Sequence, residues 1–228
     1  MQDQRQKRRE LLRAIVSSGA LGVAGLSGFM SRALAAGDIP GGTGIARLEG
    51  GTVTVNGQAA KVGSAVKMGD RIETGAGAKA VVVLKGDAFL LHQKTIIEVK
   101  GRDNVLTDML VAGGRVLSVF SKKPVTIKAA VATIGIRGTG AYLEVEPDGV
   151  YFCLCYGEAL VEGAKMEAKT VKTTHHETPL MLRETGGILR AEPGGFKNHS
   201  DDELILLESL VGREPPFVKS GVYPANKY

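Results

Sequence analysis

Apolar residues recur in short runs along most of the chain, punctuated by Gly-Asp, Asn-Gly and Gly-Gly pairs. Val/Ile-rich runs bounded in this way are strand signals with their turns. They predict strands over residues 45–49, 52–55, 70–73, 78–84, 88–92, 96–100, 108–112, 115–120, 125–129, 142–146, 150–156 and 159–162. The clearest pair is 141–146 with 150–156, whose arms alternate apolar and other residues around the turn triplet Pro147-Asp148-Gly149, so a hairpin is expected. No strict repeat emerges, and this strand density predicts a rolled or sandwiched all-β fold.

One helix is legible near the end. Ser200-Asp201-Asp202-Glu203 reads as a capping box, and Asp201 and Asp202 sit favourably at the positive end of the helix dipole. Leu204, Leu207, Leu210 and Val211 then recur at helical spacing, Ile205 and Leu206 widen the apolar face, and Gly212 with Pro215-Pro216 ends the run. The pattern predicts a helix over 200–212 whose apolar face packs on the β-domain.

The first residues change the reading of charge. Lys7-Arg8-Arg9 precedes Leu11, Leu12 and Arg13, an uncharged stretch follows, and Ala33-Leu34-Ala35 offers the small-x-small pattern of a cleavage site. Arg8 and Arg9 resemble the pair of a twin-arginine export signal. Gly19, Gly22, Gly25 and Gly28 dilute the apolar stretch below what a stable membrane helix requires. Residues 1–35 hold six basic and two acidic side chains, +4 of the chain's formal +5, so cleavage leaves a mature chain of +1. That near-neutral balance leaves no electrostatic footprint for nucleic acid. The expected location is the periplasm; an uncleaved, membrane-anchored form is the alternative.

Several motifs together resemble the FecR domain, a bacterial envelope module. They are Gly51-Thr-Val-Thr-Val-Asn-Gly57, the spacing from Gly69-Asp70 to Thr74-Gly75, Gly86-Asp87, and Gly135-Ile136-Arg137-Gly138-Thr139. The resemblance implies a compact β-roll or β-solenoid-like sandwich over 47–162; around it the sequence divides into a signal over 1–35, a linker over 36–46, a β-rich extension over 163–199, the helix over 200–212 and a tail over 213–228. It implies a module for binding, scaffolding or signalling at the envelope, acting through the exposed sheet or loops on an envelope protein, a cell-wall element or a small ligand; the alternatives are a metal- or thiol-dependent periplasmic protein and a membrane-tethered sensor with an uncleaved N-terminus. Sigma-regulating members carry a cytoplasmic domain before their membrane helix; the short segment before residue 14 leads us to expect a stand-alone exported member. The glycines around Arg137 could form an anion-accepting nest, but no helix follows as a phosphate loop would need. Arg137 is therefore expected to make buried hydrogen bonds to backbone carbonyls or to a carboxylate such as Asp70.

Cys153 and Cys155 are the residues that hint at chemistry. A strand period of two puts both sulfurs on one face, with Cα atoms about 6.6 Å apart, near the outer limit for a disulfide. Three readings stand open: a strained, reducible disulfide; two thiolates holding a soft metal, zinc or copper(I), with histidine; or plain packing. The histidines available are His92, His175, His176 and His199. In an extended strand only one of His175 and His176 would turn inward, and a fold-back just before the capping box would bring His199 to the strand face. Ligation requires sulfur and nitrogen within about 4 Å of each other around one centre. No Gly-x-Ser-x-Gly elbow or His-Glu-x-x-His run occurs, and a non-enzymatic protein is expected.

Overall fold

The computed structural model describes residues 42–220. The signal residues Arg8, Arg9, Leu11, Leu12, Ala33 and Ala35 lie outside the described residues, as does the end of the tail. Among the described residues fifteen strands and two short helices follow one another: β1 (Thr43–Glu49), β2 (Val53–Val55), β3 (Gln58–Ala59), β4 (Arg71–Thr74), β5 (Lys79–Leu84), β6 (Asp87–Leu91), β7 (Ile96–Arg102), β8 (Val105–Val119), β9 (Pro124–Ala129), β10 (Ala132–Arg137), β11 (Gly140–Glu146), β12 (Gly149–Gly163), β13 (Lys169–Thr173), β14 (Leu180–Thr185), β15 (Ile188–Pro193), α1 (Asp201–Leu210) and α2 (Pro216–Lys219). The described residues form an all-β fold with a C-terminal helix, as the patterning predicts. Among the described residues no helix is long and apolar enough to cross a membrane.

The strands form two layers that share β8 and β12. One layer runs β1-β5-β6-β8-β11-β12-β14-β15. The other runs β3-β2-β4-β7-β8-β9-β10-β12-β13. All pairs are antiparallel except β8 with β9. The patterning predicts two strands in each place where β8 and β12 run unbroken for 15 residues. Glycine at left-handed φ lets each cross between layers. Gly114 (φ 80°) has no room for a Cβ, which would lie 2.4 Å from the Thr95 Cα. At Gly157 (φ 101°) a Cβ would lie 2.7 Å from the Thr139 Cγ2.

Between the layers lies the main core, including Val82, Phe89, Leu91, Val111, Ile127, Ile134, Phe152 and Val161. A second apolar cluster covers the outer face of the first layer: Val81, Val83, Leu90, Leu117, Tyr142 and Tyr151 meet Leu204, Leu206, Leu207 and Phe217. The middle of the first layer, β5, β6, β8, β11 and β12, is thus buried on both faces, with α1 lying over β6 and β8. The capping box forms as expected: Glu203 N donates to Ser200 Oγ at 3.3 Å, and Ser200 N donates to Glu203 Oε2 at 3.0 Å. Farther along, Tyr156 Oη donates to Glu208 Oε1, and Arg213 Nε to Glu208 Oε2 at 2.6 Å, fastening the end of α1 to β12.

Most residues of the glycine-rich motifs serve the frame. Asp70 closes a turn by accepting from Lys67 N (2.7 Å) and Asn56 Nδ2 (2.8 Å), and Gly69 N donates to Val99 O at 2.7 Å. Thr74 Oγ1 donates to His92 O and accepts from Thr95 N, while Gly75 N donates to Thr52 O. Gly138 (φ 65°) donates to Ser121 O, and Thr139 O accepts from Phe120 N. The expectation for Arg137 is overturned. Strand alternation turns Ala132, Ile134 and Ile136 inward and leaves Arg137 exposed at the end of β10, with β9, β8 and β7 lying in the sheet between β10 and β4, the strand that follows Asp70.

Candidate metal centre

The sequence Val150-Tyr-Phe-Cys-Leu-Cys-Tyr156 lies in β12, paired with β11 on one side and, over residues 150–152, with β14 on the other. Alternation sends Val150, Phe152 and Leu154 into the core between the layers, and Tyr151, Cys153 and Cys155 to the face covered by α1. Both sulfurs therefore share one face, unbridged and buried.

Two other segments deliver histidines to that face. The first is the bend after β13. Glu177 organises it, accepting from Thr174 N (2.7 Å), His175 N (3.1 Å) and the Thr173 and Thr174 hydroxyls. These bonds outweigh the cost of partial burial and hold its pKa down to about 2. His176 takes a left-handed φ of 58° and its amide donates to Cys155 O at 3.0 Å, stitching the bend to β12. The second segment precedes α1. Asn198 also has a left-handed φ, its Nδ2 donates to Glu144 Oε2 at 2.9 Å, and Lys197 pairs with Glu146 and lies 4.6 Å from the Tyr151 ring centroid. The fold-back of His199 onto the strand face is as anticipated.

Cys153 Sγ lies 3.4 Å from His176 Nδ1, Cys155 Sγ lies 3.6 Å from His199 Nε2, and the two imidazole nitrogens are 3.3 Å apart. All four donor atoms fall within 4.8 Å of one another. The other nitrogen of each ring is already committed. His199 Nδ1 stands 2.7 Å from Lys197 O, a carbonyl that can only accept, so Nδ1 carries the proton and Nε2 offers a lone pair to the sulfurs. His176 Nε2 donates to Asp201 Oδ1 at 3.1 Å, leaving Nδ1 as its ligand atom.

His175 departs from expectation. Strand alternation would turn it away, but the left-handed residue at 176 breaks the alternation, and His175 Nε2 donates to the same Asp201 Oδ1 at 2.9 Å. It joins the carboxylate, not the sulfurs, and its ring lies 4.4 Å from Phe217. His92 stays apart, edge-on to Tyr142 at 6.4 Å. Tyr142 stacks on His199 at 4.4 Å and Phe196 packs against both ligand rings, so the centre is walled by aromatic faces. Asp201 was legible only as a helix-dipole residue; the signal that it does more is its adjacency to the cap that follows His199.

The electrostatics favour one thiolate in this dry setting. The hydrogen bond from Cys155, helped by His176 and His199 against the effect of burial, holds the Cys153 thiol below its ordinary pKa. Burial, then the neighbouring Cys153 sulfur, pushes Cys155 up. Burial opposes protonation of His176, yet the Asp201 hydrogen bond and the Cys153 sulfur raise its pKa on balance. Asp201, disfavoured as an anion by burial, is held ionised by His176 and His175.

No protein-family model matches the chain, and no curated protein matches it. Among solved structures, it is similar to two crystal structures of a candidate anti-sigma factor from Parabacteroides distasonis ATCC 8503, at 1.65 Å and 2.50 Å resolution. Both give a TM-score of 0.45, at 14% and 15% identity. The match covers 54% of this chain and 59% of that one. So partial a likeness says nothing about what this chain binds.

Proposed function

We propose that this protein is a non-enzymatic, exported β-module of FecR type that holds one zinc ion through Cys153, Cys155, His176 and His199. The observation that carries the reading is the set of donor separations. A tetrahedral zinc with bonds of about 2.3 Å to sulfur and about 2.05 Å to imidazole nitrogen spaces its S and N ligands about 3.6 Å apart and its two N ligands about 3.3 Å apart. The chain holds two of its four S···N pairs at 3.4 and 3.6 Å and its N···N pair at 3.3 Å, and all four donor atoms lie within 4.8 Å of one another. Two thiolates neutralise a divalent ion, which makes a buried centre tolerable; with copper(I) the same ligands would bury a net negative charge. Each histidine has an outer partner, Asp201 or Lys197 O, as metal-bound imidazoles require.

Burial argues for a structural ion. Cys153 and Cys155 are 0% exposed, His176 4% and His199 6%, so four ligands close the sphere and leave no position for a substrate. Partner binding at the envelope then falls to the exposed sheet and loops, and the twin-arginine-type signal, which serves proteins folded before export, suits a module whose ion is enclosed by the fold.

Native mass spectrometry with elemental analysis on periplasmic protein tests the reading. One zinc per chain, absent from Cys153→Ser/Cys155→Ser, is the expected result. A metal-free chain two hydrogens lighter than the reduced mass would replace the centre with a disulfide, and stoichiometric copper would reassign the ion. The same spectrum reads the mature N-terminus: Met1 retained on membrane-bound protein would convert the module into a tethered one.

A further inference from the structure

We infer that zinc occupancy and the docking of the two C-terminal helices are a single coupled event, transmitted by Asp201, so that loss of the ion uncovers the outer apolar face of the first layer. The inference rests on the zinc reading above and adds to it a conformational consequence.

The route is a chain of contacts. His176 meets the Cys153 sulfur through Nδ1 and Asp201 through Nε2. Asp201 is the first residue of α1, and the same oxygen accepts from His175, whose ring lies against Phe217 of α2. From ion to second helix there are thus four side chains, each in contact with the next. His199 supplies a parallel link, being ligand and immediate neighbour of the N-cap Ser200.

Energetics make the chain a switch. A helix of 10 residues is too short to persist alone in water, so α1 exists by virtue of its docking. Docking buries Asp201 to 2% exposure, and a carboxylate is tolerated there only with donors in place. Those donors are His175 and His176, and a ligated metal would hold the His176 ring and oblige its Nε2 to carry the proton that Asp201 accepts. Without the ion the bonds from His175 and His176 to Asp201 remain, but the His176 ring is no longer anchored at Nδ1, so the carboxylate loses the fixed partner that holds the start of α1 in place. The face released would include Leu90, Leu117, Val119, Tyr142 and Tyr151. Asp201 is accordingly a positioning residue, not a ligand.

Hydrogen exchange on the full mature chain, with zinc bound and after chelation, reads the coupling directly. Amides of 201–219 should exchange at least 10-fold faster without zinc, alongside increased binding of a hydrophobic dye, while β9 and β10 change little. Asp201→Asn should weaken zinc about 10- to 100-fold by competition titration, with the sulfur-to-metal charge-transfer band of the cobalt(II) form retained. Asp202→Asn, the same charge change one residue along the helix, should stay within about 2-fold of the parent. His175→Phe tests the link by a second route: it retains packing on Phe217 but cannot donate to Asp201, and it too should speed exchange in 201–219. Stoichiometric zinc with unchanged protection over 201–219 on its removal overturns the coupling while leaving the zinc centre intact. A chain that binds no zinc overturns the centre itself and the coupling with it.

Discussion

The two faces of β12 invite comparison because they are one residue apart and equally buried. Phe152 and Leu154 enter the core between the layers, where only shape and volume matter; Cys153 and Cys155 enter the face under α1, where four polar donor atoms converge. The inner face is stabilised by removal of apolar surface from water, a non-directional effect insensitive to metal. The outer face contains sulfur, imidazole and carboxylate groups whose burial is unfavourable unless each finds its partner. One strand thus carries a generic core on one side and a specified site on the other.

Truncating the inner face should have the largest effect. Phe152→Ala is expected to cost about 3–5 kcal/mol whether or not zinc is present, read by urea unfolding with and without chelator. The outer face should behave oppositely: Cys153→Ser/Cys155→Ser should lose only what zinc contributes, about 4 kcal/mol where free zinc stands 1,000-fold above its dissociation constant, and should equal the chelated parent otherwise. Equal losses in the presence and absence of zinc would erase the distinction between the faces.

Acid offers a sharper probe of the outer face. Burial, reinforced by Arg115 and Lys79, lowers the His92 pKa from 6.5 to about 4. The unfolded chain takes up a proton that the folded chain refuses. The contribution is therefore complete above pH 6.5 and is lost as pH falls toward 4, a decline of about 3 kcal/mol. Measured in the Cys153→Ser/Cys155→Ser background, where metal release plays no part, His92→Phe should flatten that acid limb. An unchanged limb would place the acid sensitivity elsewhere. Smaller effects should follow at the margins: Ser200→Ala about 1 kcal/mol through loss of the cap, and Arg137→Ala within about 0.5 kcal/mol, since its side chain is exposed. A loss of more than 1 kcal/mol at Arg137 would restore the fastening role expected of it.

Much of the frame was legible because it is local. The hairpin around Pro147-Asp148-Gly149 and the capping box at Ser200 depend on neighbours within a few residues, and both are present with small shifts of boundary. In the region of β8 and β12 local patterning predicts pairs of strands, because a glycine normally ends a strand; Gly114 and Gly157 instead let one strand pass from layer to layer. The ligand types and the common face of the two cysteines were readable too. Which histidines would meet them was not. His176 and His199 are separated from their sulfurs by 23 and 44 residues. The turn that brings both His175 and His176 inward depends on a left-handed residue fixed by Glu177 and the Cys155 carbonyl.

By itself, then, the sequence determined an all-β chain, a capped C-terminal helix and two thiols on one strand face, since a two-residue period and a cap are properties of the backbone and its nearest side chains. Only the tertiary structure decided that the thiols meet His176 and His199, that Asp201 ties them to α1, and that Arg137 faces water. Those outcomes depend on how two sheets and a helix pack, and packing selects among distant residues for which local periodicity carries no preference.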